Sequence, residues 1–145
     1  MAKVSTYLNF PGTTEEAFNF YKSVFGTEFV GEVARFGSAP AQEGQPPLAD
    51  EYKDKIMNIV LPILDGHTIM GTDAIPGMGF EFKQGNNMYI MLEPDSRADS
   101  DRLFNALSEG GKVEMPMQDM FWGDYYGSFT DRFGAGWMIN CSVKE

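Results

Sequence analysis

Two stretches of this chain repeat one order of elements at nearly equal length, and that repeat constrains the fold more than any other feature. From Tyr7 to Gly26, and again from Tyr89 to Gly110, a strand pattern runs into a helix pattern that stops at glycine. In the first copy Val4, Thr6, Leu8 and Phe10 alternate with Ser5, Tyr7 and Asn9, the period of two of a strand with one face on a core. Pro11-Gly12 follows, then Thr13 and Glu16 at the spacing of a capping box. Ala17, Phe18, Tyr21, Val24 and Phe25 recur at helical spacing before Gly26. In the second copy Tyr89 to Pro94 reads as a strand and Ser96 to Ser108 as a helix with Leu103, Phe104 and Leu107 on one side. Gly110-Gly111 ends it.

Each copy is followed by three further strand patterns. After the first they are Thr27 to Phe36, Ile56 to Leu64 and Thr68 to Asp73, with a long Pro/Gly/Ala-rich loop from Gly37 to Asp54 and a tight turn at Asp65-Gly66. After the second they are Lys112 to Met117, Tyr125 to Thr130 and Trp137 to Val143. The expected fold is α+β: two βαβββ modules, about 1–76 and 86–145, within one domain spanning 1–145. Their mixed sheets curl around a cavity with the helices outside. At 145 residues the chain is long enough to bury a core without staples.

Charge and cysteine content exclude several classes of function. A net charge of −10 repels nucleic-acid phosphates and anionic lipid surfaces, so neither nucleic acid nor membrane is an expected partner. The single cysteine, Cys141, permits no internal disulfide and no zinc ribbon; it reads as a small buried apolar residue in a cytoplasmic protein. The first ten residues alternate like a strand rather than a signal peptide, and no apolar run approaches the length of a membrane span.

The segments "YLNFPGTTEEAFNFYKSVFG" (7–26), "IMGTDA" (69–74) and "FWGDYYGSFTDRFGAGWMIN" (121–140) resemble the PhnB-like branch of the vicinal-oxygen-chelate superfamily, which includes glyoxalase I, extradiol dioxygenases and bleomycin-resistance proteins. The resemblance covers nearly the whole chain. It implies paired βαβββ modules, a cavity within the curled sheets and a homodimer. A demethylubiquinone methyltransferase label also travels with this branch, but no glycine-rich turn between first strand and helix is present to hold a nucleoside cofactor.

Metal-dependent members of the superfamily carry His or Glu at four cavity-facing strand positions. By the resemblance these fall here on Ser5, Met70, Tyr89 and Met138, a hydroxyl, a phenol and two thioethers, which are poor ligands for hard or borderline divalent ions. No cofactor is therefore expected. His67, the only histidine, reads either as a solvated residue beside its turn or as a ligand or general base. Asp73 could aim a carboxylate at the cavity mouth or cap the loop 74–77. Asp131 to Gly134 has the form of a turn in which Asp131 bonds back to the backbone and Gly134 takes a positive φ. Trp137, Ile139 and Cys141 then face the core, leaving Met138 and Asn140 toward the cavity. Trp122, Tyr125 and Tyr126 can line a pocket lip or fill a core.

The expected ligand-binding set is Ser5, Tyr7, Asn9, Met70, Asp73, Tyr89, Trp122, Met138 and Asn140, a lining that favours flat, neutral or weakly polar molecules. The first reading is a dimeric small-molecule-binding protein that has lost the superfamily's metal ligands. The alternative is a glyoxalase-type or other lyase, isomerase or dioxygenase with a remodelled site, or a metal-free catalyst using Tyr7, Tyr89 or Asp73 as acid or base. The residues leave open whether the chain is an enzyme.

Overall fold

The computed structural model describes residues 2–40, 44, 47–79 and 81–143, and the chain divides into two compact units, Met1–Phe82 and Lys83–Glu145. The first unit holds β1 (Thr6–Phe10), α1 (Thr14–Phe25), β2 (Ala34–Arg35), β3 (Ile56–Pro62) and β4 (Thr68–Asp73). The second holds β5 (Ile90–Leu92), α2 (Arg97–Ser108), β6 (Lys112–Asp119), β7 (Tyr125–Thr130) and β8 (Gly136–Cys141). Both are βαβββ. The strand orders, β1-β4-β3-β2 and β5-β8-β7-β6, correspond element for element, and neither sheet closes into a barrel. Each sheet is mixed: β1 lies parallel to β4 and β5 parallel to β8, while the remaining pairs are antiparallel.

Each helix seals one face of its own sheet. Of the α1 residues expected at helical spacing, Ala17, Phe18 and Tyr21 are buried completely and Val24 nearly so, while Phe25 is half-buried. They pack with Phe10, Ile59, Leu61 and Ile69 of the strands, and Gly26 ends the helix at φ 67°. The Phe18 ring settles on Gly71 of β4, where an added Cβ would lie 2.5 Å from Cε1. The second unit repeats the device with Phe104 of α2 over Gly127 of β7, where a Cβ would lie 2.8 Å from Cε2. Leu103, Leu107, Phe129, Trp137 and Ile139 complete that core. A helix over one face leaves the other face of each sheet to other duties.

Three expectations are corrected. The strand expected over Thr27 to Phe36 shrinks to Ala34–Arg35: Gly31 turns the chain at φ 69°, and Phe36–Ser38 coils into a 3-10 turn. The capping box at α1 does not form, since Thr13 makes no side-chain cap bond. The Asp73 carboxylate replaces it, accepting from the Thr14 amide at 3.0 Å and, through its other oxygen, from the Ile56 amide at 2.7 Å. Val4 lies before β1 and is exposed rather than on the core face. Of the loop expected over Gly37 to Asp54, residues 41–43, 45 and 46 lie outside the described residues, and Asp50–Tyr52 forms a further 3-10 turn.

Candidate functional site

Strand pairing decides which side chains share the face away from each helix, because directly opposed residues point the same way. On the first sheet Tyr7 pairs with Met70, and Asn9 with Thr72. Tyr7 is 48% exposed and donates its hydroxyl to Asn58 Oδ1 at 3.3 Å, reaching from β1 across β4 to β3. Just before β1, the Ser5 and Thr68 hydroxyls hydrogen-bond at 2.7 Å. Ser5, Tyr7, Asn9 and Met70 therefore share one open, neutral, hydrogen-bonded surface.

The second sheet builds a related but charged surface. Met91, Met138 and Ser128 stand in register across β5, β8 and β7, and Met115 of β6 continues the row. The next row joins Asn140, Tyr126 and Gln118. Tyr89 lies over Gly136, where an added Cβ would fall 3.0 Å from its Cδ2 and 3.1 Å from the Met88 carbonyl oxygen. The missing side chain lets the phenol lean along the sheet, and its hydroxyl reaches Glu114 of β6, 2.8 Å from Oε1 and 3.1 Å from Oε2. In a flat sheet the first and fourth strands stand about 14 Å apart with side chains perpendicular to the plane. The bond therefore spans the open face from the residue before β5 to the far edge strand β6. Beside this pair the Asn140 amide donates to Asp124 Oδ2 at 3.0 Å, and Trp122 packs edge-on against Tyr126 with ring centroids 6.4 Å apart.

The protonation states follow from these contacts. The Tyr89 phenol is pushed above its ordinary pKa of 10.0, first by the hydrogen bond it donates to the Glu114 carboxylate, then by burial, the Glu114 charge and nearby Tyr126. Burial alone raises Tyr7. A phenol used as a general base near pH 7 needs the opposite shift, so the geometry suits Tyr7 and Tyr89 as hydrogen-bond donors.

Several residues singled out from sequence stand elsewhere. Asp73 is 3% exposed on the helix side, with both oxygens engaged by the two backbone amides, so it neither opens onto the Tyr7 surface nor caps the loop after β4. Tyr125 also points to the helix side, donating to Asp101 at 2.6 Å beneath the Arg97 guanidinium. Asp131 does bond back to the backbone, at Phe133 and Ala135, and it also takes the buried Trp137 indole N–H at 2.8 Å; Gly134 holds φ 93°. His67 Nε2 lies 2.9 Å from the Thr6 hydroxyl, joining two strand ends. Cys141 is buried, with its Sγ 3.8 Å from the Val143 carbonyl. The chief omission of the sequence reading is Glu114. Register shifts between Val113 and Met115 and between Met115 and Gln118 break simple alternation along β6, so counting by twos does not pair Glu114 with Tyr89.

Ser5, Met70, Tyr89 and Met138 do not fit a divalent metal. Ser5 and Tyr89 already hold hydrogen-bond partners, and the other two are thioethers. Among the described residues no group of three or more His, Cys, Asp or Glu side chains is placed to hold a metal ion. A depression of about 540 Å³ beside the start of α1 is lined by Glu15, Glu16, Glu51 and Asp54, but Arg35 clamps Glu15 with two hydrogen bonds and Lys55 reaches the Gly12 carbonyl.

Comparison with known proteins gives a consistent picture. A family model described as 3-demethylubiquinone-9 3-methyltransferase matches residues 2–140. Protein YjdN of Escherichia coli (strain K12) is 30% identical over 146 residues, covering 98% of this chain and 96% of that one. Among solved structures, protein PA1353 from Pseudomonas aeruginosa is 37% identical with a TM-score of 0.84, covering 99% of this chain and 100% of that one. A putative 3-demethylubiquinone-9 3-methyltransferase, PhnB protein, from Bacillus cereus shares the fold at 24% identity and a TM-score of 0.73, covering 97% of this chain and 99% of that one.

Proposed function

This chain belongs to the 3-demethylubiquinone-9 3-methyltransferase family, the PhnB-like branch of the vicinal-oxygen-chelate superfamily, and from that premise we propose that it is a cytoplasmic, homodimeric small-molecule-binding protein. The supporting observation is the pair of tyrosines. Tyr7 and Tyr89 begin the two repeats, and each crosses the open face of its sheet to a polar partner, Asn58 or Glu114, instead of filling a core. Rings, thioethers and a few fixed hydrogen-bonding groups gathered on one open sheet face are the make-up of a ligand site.

Methyl transfer draws no support from the residues between β1 and α1. The helix N-terminus, which in nucleotide-binding units faces a phosphate, here faces the buried Asp73 carboxylate. The superfamily's metal chemistry lacks its ligands at Ser5, Met70, Tyr89 and Met138. A metal-free enzyme is the second reading, favoured by the Tyr89–Glu114 pair, in which a phenol held neutral beside a carboxylate could serve as acid and base partners. Native mass spectrometry of freshly purified protein, with a thermal-shift screen of flat aromatic compounds, tests the binding reading. A retained or stabilising small molecule at one per chain supports it; a screen in which no compound shifts unfolding removes it.

A further inference from the structure

We propose that the open face of the second sheet is a subsite for an organic cation, a protonated amine carried on a flat aromatic body, with Glu114 as its counter-charge. This rests on the reading of that face as a ligand site and changes the ligand expected from sequence, which was neutral. Glu114 and Asp124 are held by neutral groups, the Tyr89 hydroxyl and the Asn140 amide, so neither negative charge is neutralised by its hydrogen-bond partner. Lys112, opposite Thr130 on the same face, is the nearest cation in sequence to Glu114, and no ion pair among the described residues reaches either carboxylate. The arginines of this unit are engaged away from them: Arg97 on Asp119 at 2.6 Å, Arg102 on Asp99 at 2.9 Å, and Arg132 on the Glu109 carbonyl at 3.1 Å.

A second, independent feature points to a missing partner. Ser128 is 4% exposed and stands between Met138 and Met115 in the thioether row, and its hydroxyl takes part in none of the hydrogen bonds among the described residues. It is not sealed off either, since Thr14 Oγ1 is the only fully enclosed, unpartnered side-chain atom among those residues. A donor-acceptor group so nearly buried, opening onto a face with two carboxylates, is placed to be satisfied by a bound molecule. The surrounding groups suit a cation with an apolar body. Tyr89, Tyr126 and Trp122 offer ring faces, which attract cations, and Met91 and Met138 offer polarisable sulfur. Phosphorylated or carboxylated ligands would meet like charge.

Calorimetry with tryptamine, tryptophol and indole-3-acetate tests this, because the three share a ring and differ in charge. Tryptamine should bind about tenfold or more tightly than tryptophol, as a charge-assisted hydrogen bond requires, with indole-3-acetate weakest. Glu114→Gln should erase the gap between tryptamine and tryptophol. If that variant does not fold, Asp124→Asn and a salt titration of the parent protein serve instead: each should narrow the gap. Equal binding of tryptamine and tryptophol, or an advantage of tryptamine that survives Glu114→Gln, overturns the inference. So does failure of all three to bind; a hit among neutral or anionic compounds would then leave the ligand-site reading standing, whereas no hit of any charge removes both.

Discussion

The Tyr89 hydroxyl, one residue before β5, and the Glu114 carboxylate of β6, at opposite edges of one sheet, are joined at 2.8 Å and 3.1 Å. The contact bridges the open face of the sheet and favours the neutral phenol. Because the bond favours protonated tyrosine, its folded pKa lies above 10.0, and its stabilising contribution is complete below that value and lost as the pH rises through the folded pKa. Glu114→Gln removes the carboxylate that causes most of the shift. Ultraviolet-monitored alkaline titration should show a late-ionising tyrosine in the parent that ionises earlier in Glu114→Gln and is missing in Tyr89→Phe; identical titration of parent and Glu114→Gln would show that the contact does not govern the phenol.

Asp73 is a structural carboxylate in this account. Removing it leaves the Thr14 and Ile56 amides without their acceptor in a buried setting, so Asp73→Ala should cost about 2–4 kcal/mol. Asp50→Ala, at a side chain 92% exposed, should change stability by less than about 0.5 kcal/mol. Urea unfolding of the two variants separates them, and a tolerated Asp73→Ala with impaired ligand binding would return Asp73 to the binding set.

Elemental analysis of protein purified without chelators should find no stoichiometric zinc, nickel, iron or manganese. Ser5, Met70, Tyr89 and Met138 supply neither imidazole nor carboxylate. Near one equivalent per chain, lost on replacing Tyr89 or Glu114, would overturn the metal-free reading.

Light scattering should give the mass of two 16.2 kDa chains. The motivation is the family resemblance together with β6, an eight-residue edge strand that is exposed along nearly all its length, Val113 and Met115 included. A monomer throughout the micromolar range would remove the dimer.

What was legible in the sequence, and what was not, divides by physical range. The βαβββ order was legible because burial imposes period two on β8, where Trp137, Ile139 and Cys141 are buried and Met138 and Asn140 half-exposed, and helical spacing on α1. The Asp131 turn was legible because its chemistry is local. Asp73 was not, because its partners lie 59 and 17 residues away and only the fold brings them together. Nor was Glu114, whose face is set by irregularities in β6 that no alternation reveals. Alternation put Tyr7 and Asn9 on one face of their strand and Met138 and Asn140 on one face of theirs, while Tyr89 was singled out by the resemblance; what each touches needed the register.

The central claim, that the Tyr89 face binds a small molecule and is not filled core, is tested most directly by Tyr89→Ala, with thermal unfolding and ligand affinity measured on the same preparation. Because the ring lies on an open face, the variant should unfold close to the parent while the affinity of any aromatic ligand found for the parent falls by about tenfold or more. A stability loss of about 3–5 kcal/mol, the cost of deleting a core aromatic, with no ligand found for the parent, would contradict the account.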